Sequence, residues 1–154
     1  MRTALLALLL TACGGPATVA GDISGTTFEK AKSAWFGSGI IVIVDEDIPC
    51  DQMGWVQRLY TEDSPADGRR EFAAVQIAFR GDITEGPFLT DRVQGVSADG
   101  LVNLSDSVEV HHAREGEVLI DSISDANVTG SFSMAFGEGG VAGEFDAKTC
   151  INIR

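Results

Sequence analysis

The sequence predicts an all-β fold, an antiparallel sandwich or barrel-like sheet of about seven or eight strands with one disulfide and at most one short helix. Three observations carry this expectation. Glycine and turn residues cut the 154-residue chain into short pieces, and most pieces alternate apolar and polar residues with a period of two. Cys50 and Cys150 are far apart in the chain and form the natural pair once Cys13 is set aside. Only residues 53–60 place apolar side chains (Met53, Val56 and Tyr60) at helical spacing.

Taken in order, residues 1–12 are read as a leader. Arg2 supplies a positive start, residues 4–10 are Ala and Leu only, and Leu10-Thr11-Ala12 put small residues before Cys13. The apolar run is well short of the roughly 20 residues needed to span a bilayer. Residues 13–21 hold Cys13 followed by Gly14-Gly15-Pro16-Ala17-Thr18, which reads as a flexible tether, and residues 22–154 read as a single β domain. Residues 23–28 and 31–36 are short strand candidates. Residues 40–44, Ile-Ile-Val-Ile-Val, are continuous and β-branched, which suits a strand buried on both faces. Residues 61–70 hold Pro65, Gly68 and several charges and read as an exposed loop.

In residues 73–80, Ala73, Val75, Ile77 and Phe79 alternate with Ala74, Gln76, Ala78 and Arg80 until Gly81-Asp82 ends the run. Val102, Leu104, Val108 and Val110 share one parity, and residues 117–123 form a further strand. The clearest signal follows. Val128, Gly130, Phe132, Met134 and Phe136 oppose Thr129, Ser131, Ser133 and Ala135. After Gly137-Glu138-Gly139-Gly140 the pattern resumes with Val141, Gly143, Phe145 and Ala147 on one side. Two alternating runs about a glycine-rich break specify a hairpin.

Leu10-Thr11-Ala12-Cys13 resembles the lipobox of bacterial lipoproteins at all four positions. The resemblance implies removal of residues 1–12 and acylation of Cys13, with palmitate-type chains holding the protein to a membrane. Several buried chains, at about 0.8 kcal/mol per CH₂, make such an anchor effectively permanent. Gly14 in place of Asp favours the outer membrane by the sorting pattern of that class. The C-terminal Gly143-Glu144-Phe145-Asp146-Ala147-Lys148-Thr149-Cys150 also resembles a Gly-x-Phe-x-Ala-x-x-Cys strand of small β-sandwich lipoproteins that mostly lack a known activity. There it closes the sandwich and pairs with an earlier cysteine. In an exported protein the even pair Cys50 and Cys150 is ordinarily a disulfide; metal ligation, the rival, lacks a second cysteine two to four residues from either.

The formal charge of −12 becomes −13 once the leader takes Arg2 with it. Such acidity argues against nucleic acid and against anionic lipid surfaces, both of which need clustered Lys and Arg. Asp45-Glu46-Asp47 with Asp51 is the densest acidic cluster. Asp45, Asp47 and Asp51 are a candidate calcium set, although the spacing fails the EF-hand loop, with Cys50 at the sixth position and Val56 at the twelfth. A solvated loop accounts for the cluster more readily.

His111 and His112 are the two histidines, and in a regular strand they point to opposite faces. His112 shares the parity of Val108 and Val110 at the core edge, His111 that of Glu109 in solvent, and no partner stands at a telling spacing. Gly137-Glu138-Gly139-Gly140-Val141-Ala142 fits a dinucleotide fingerprint but is followed by a strand instead of a helix, so it reads as a turn. Asn103-Leu104-Ser105 and Asn127-Val128-Thr129 match a glycosylation pattern without bacterial significance. Trp35, Trp55 and Tyr60 could form a sugar platform, though aromatic residues of small sandwiches are usually core.

The expectation is a membrane-anchored envelope lipoprotein that binds an envelope protein or glycan without catalysis, with no cofactor beyond the lipid on Cys13. A carboxylate-dependent hydrolase or carbohydrate-binding protein using the Asp45–Asp51 region is one alternative. A purely structural envelope protein is the other.

Overall fold

The structure, a computed structural model, describes residues 18–61, 70–90 and 95–154. The expected leader, Cys13 with the tether up to residue 17, and the middle of the loop at residues 61–70 lie outside the described residues. The strands are β1 (Ala20–Ile23), β2 (Thr26–Phe28), β3 (Ser33–Gly37), β4 (Ile40–Val44), β5 (Phe72–Arg80), β6 (Gly86–Leu89), β7 (Gly95–Asn103), β8 (Val108–His112), β9 (Glu115–Ile123), β10 (Asn127–Phe136) and β11 (Gly139–Thr149). A 3-10 turn at Cys50–Gln52 leads into helix α1 (Met53–Leu59).

All eleven strands join one curled sheet, a half-barrel, ordered β6-β9-β10-β11-β3-β4-β5-β7-β8, with β1 added to β11 and β2 to β1. The barrel-like form of the expectation is therefore the one adopted. Every strand pair is antiparallel except β11 with β3, which run parallel through Lys148↔Trp35 and Thr149↔Phe36, so the sheet is mixed. A bridge between Thr90 and Val96 brings the chain after β6 against β7 and marks how far the sheet curls.

The curl encloses the main core, which includes Phe28, Ile41, Ile77, Phe132, Met134 and Phe136. A second core lies on the outer face of β4, β5 and β7, where Val42, Val44, Ala74 and Leu101 meet Met53, Val56 and Ile153. This is why residues 40–44 lack alternation: β4 is covered on both faces. Seven residues are too few for a helix to stand alone. α1 holds because Met53, Val56 and Leu59 turn one buried stripe onto that outer face. The Cys50–Cys150 disulfide, Cα–Cα 5.6 Å across a separation of 100 residues, fixes the turn before α1 to the end of β11.

The β10–β11 hairpin has the expected register, with Val128, Gly130, Phe132, Met134 and Phe136 all buried. Its loop is shorter than the four-residue, glycine-rich break suggested, since Gly139 and Gly140 already pair as β11. Gly139 and Gly21 are glycines because β1 and β11 approach closely there. A Cβ on Gly139 would lie 2.3 Å from Asp22 Oδ1, and one on Gly21 would lie 2.1 Å from the Gly140 carbonyl oxygen.

Some boundaries differ from the sequence reading. The ordered domain begins before residue 22: Val19 is fully buried, and Thr18 donates its amide to the Glu144 carbonyl at 2.9 Å. Residues 23–28 form a β1–β2 hairpin turn, not one strand. Strand β6 escaped notice because Pro87 interrupts its pattern; an edge strand tolerates it. Val102 and Leu104 belong with the inner core, whereas Val108 and Val110 pack on the outer one, because the turn at residues 104–107 reverses the chain.

Candidate functional site

The acidic candidates are not gathered into one site. Asp45 is drawn inward: Oδ1 accepts the Ala73 amide at 2.8 Å and Oδ2 the Glu29 amide at 3.4 Å. Burial outweighs these amides and raises its carboxyl above the ordinary value. Asp47 and Asp51 are exposed, and Asp51 lines a different cleft from Asp45. Among the described residues, no group of three His, Cys, Asp or Glu side chains is placed to hold a metal ion. The loop is shaped instead by Ser33, whose hydroxyl donates to the Glu46 carbonyl at 2.7 Å, and by Trp35, whose indole donates to the Ile48 carbonyl at 2.8 Å. Lys32 and Glu46 form a surface ion pair at 3.1 Å.

The aromatic candidates also separate. Trp35 is committed to Ile48, and the Tyr60 hydroxyl is buried with no hydrogen-bond partner among the described residues. Trp55 packs edge-on against Phe72 at 5.6 Å and lines an open cleft of about 650 Å³ with Asp51, Gln52, Arg58 and Asn152. Gln57 closes one end by pairing with the backbone of Arg154, accepting its amide at 3.0 Å and donating to its carbonyl at 3.2 Å.

The histidines do point to opposite sides, but their exposures are the reverse of the expectation. The His111 side chain is 26% exposed beside Glu109 at 3.2 Å, and that of His112 is 73% exposed. The reason is position: β8 is the last strand of the sheet, and the outer core ends at Val110 before reaching His112. His112 has a partner that spacing along the chain hid. Its Nδ1 meets Oδ1 of Asp99, the residue directly across the β7–β8 ladder.

Around this pair lies a second cleft, of about 690 Å³, on the outer face of β5, β7 and β8 beyond the end of α1. Arg80 at the end of β5, Ser97 and Asp99 on β7, His112 on β8 and Arg114 line it, with Thr90 at its margin. Outward parity puts these side chains together, because Arg80, Ser97 and Asp99 alternate with the half-buried Phe79, the buried Val96 and Ala98 and the inward Gly100, and His112 pairs with Asp99 across the ladder. Arg80 and Arg114 are exposed, and among the described residues neither guanidinium joins an ion pair or donates a hydrogen bond. The Tyr60 phenol is held well above its usual pKa, chiefly by burial and then by the charge of Asp99.

Asp99, Arg80 and Arg114 were missed in the sequence, yet a signal for Asp99 existed. Treating the runs around residues 104–107 as a hairpin sets Asn103 opposite Val108, and counting back from there sets Asp99 opposite His112. No protein-family model, curated protein or solved structure matches the chain.

Proposed function

We propose that the chain is an exported lipoprotein, cut before Cys13, whose β domain is a non-enzymatic binding module for a protein or glycan of the cell envelope. The observation that carries this reading is the Cys50–Cys150 bond joining α1 to the end of β11. Disulfides persist in oxidising compartments, and the apolar run with Leu10-Thr11-Ala12-Cys13 is the matching export address. Gly14 supports an outer-membrane destination, and the anchor needs no help from charge. The β domain then offers its outer-face clefts to the envelope.

The test is metabolic labelling with a palmitate analogue in a bacterial host. The wild-type chain should carry label and sediment with membranes, while Cys13→Ala should remain an unlabelled precursor. Equal labelling of the two would refute anchoring through Cys13. A pull-down from crosslinked cells should then return a reproducible envelope component, and recovery of none from folded, abundant protein would favour a structural role.

A carbohydrate-binding reading has one specific observation in its favour, the partly exposed Trp55 beside Asp51, Gln52 and Asn152. The described lining of this cleft offers one carboxylate, whereas glycoside hydrolysis generally uses two.

A further inference from the structure

We propose that the cleft on the outer face of β5, β7 and β8 binds a hydroxyl-bearing organic anion, a sugar acid or a sugar phosphate, through Arg80, Arg114 and the His112–Asp99 pair. The proposal deepens the binding-module reading but does not depend on the lipid anchor.

The argument starts from charge. The chain carries 23 acidic side chains against 11 basic ones, so an exposed arginine has many carboxylates within reach. Yet Arg80 and Arg114 face one concavity with no ion pair among the described residues. Each presents a planar fork that matches the two oxygens of a carboxylate or phosphate. His112, at the end of edge strand β8 and two residues before Arg114, lines the same cleft. Asp99 takes one ring nitrogen and so orients the imidazole, leaving Nε2 free to reach a ligand.

Size and polarity narrow the class further. About 690 Å³ is far larger than one phosphate and falls in the range of small-molecule sites. The hydroxyl of Thr90 donates to the Gly116 carbonyl at 3.0 Å, which leaves its oxygen able to accept. Asp99, 24% exposed, retains a second carboxylate oxygen for a ligand hydroxyl. Cationic forks beside hydroxyl acceptors suit an anion that also bears hydroxyls, more than a bare inorganic ion.

The experiment is an amide NMR titration of the detergent-solubilised, disulfide-closed protein with glucuronate, with glucose 6-phosphate and with glucose. At least one of the two anions should give saturating shifts centred on Thr90, Ser97 to Asp99 and His112 to Arg114, and the better one identifies the preferred charged group. Glucose should give none. The double variant Arg80→Ala/Arg114→Ala, which removes only exposed side chains, should weaken binding at least about tenfold. Arg58→Ala, in the Trp55 cleft, should leave it unchanged. No saturating shift with either anion, equal response to glucose, or an affinity that the double variant leaves intact would each overturn the proposal. Failure of Cys13 acylation would leave these outcomes untouched, so the two readings fail separately.

Discussion

Single side chains show where this protein carries costs. The Tyr60 hydroxyl is buried with no partner among the described residues, and an unsatisfied buried hydroxyl costs about 1–3 kcal/mol. Tyr60→Phe should therefore raise the melting temperature, and a fall of several degrees would show that the hydroxyl is satisfied. The same residue sets an alkaline limit. Its folded pKa lies above its unfolded value, so the native state keeps a proton that the unfolded chain releases from about pH 10 upward. The stability held below that pH declines as pH rises further, and Tyr60→Phe should flatten the decline in alkaline melts. Glu46 works in the opposite direction. The Lys32 hydrogen bond lowers its pKa, so its contribution is present above the ordinary Glu value and is lost as acid protonates it. Because the pair lies at the surface, Glu46→Gln should cost less than about 1 kcal/mol at neutral pH.

At the scale of elements, the second core is what makes α1 a helix. Met53 is fully buried against the outer sheet face, so Met53→Ala should cost about 2–5 kcal/mol by opening a cavity there. Leu89, 64% exposed on edge strand β6, offers the contrast: Leu89→Ala should stay within about 0.5 kcal/mol in the same denaturant series. Similar costs for the two would contradict the assignment of α1 to a core. The elements also show what the sequence could convey. The β10–β11 hairpin was legible because Val128 to Phe136 keep strict alternation, and β4 because a continuous β-branched run has few other uses. Strands β1, β2 and β6 were obscured by Ser24-Gly25 and Pro87, where local punctuation hides pairing that only the curled sheet supplies. The His112–Asp99 pair was legible only indirectly, for a related reason. Cross-strand neighbours depend on register, and register was not fixed until the turn at residues 104–107 was recognised as a reversal.

For the whole molecule, the disulfide and the proposed export address make one argument. A crosslink closing a loop of about 100 residues stabilises by about 4.7 kcal/mol in the chain-entropy model. Cys50→Ser should lower the melting temperature strongly under oxidising conditions and little under reductant, with equal loss in both counting against the bond. The net charge of −12 belongs at this scale as well, because it gives weight to two arginines that face one cleft with no ion pair among the described residues. The most direct test of the central claim is the intact mass of the protein purified from bacterial membranes. The account expects a chain that begins at Cys13, heavier by a diacylglycerol and an N-acyl group, and lighter by the two hydrogens lost when Cys50 and Cys150 join. A mass that retains residues 1–12, or that shows Cys13 free of lipid, would contradict it.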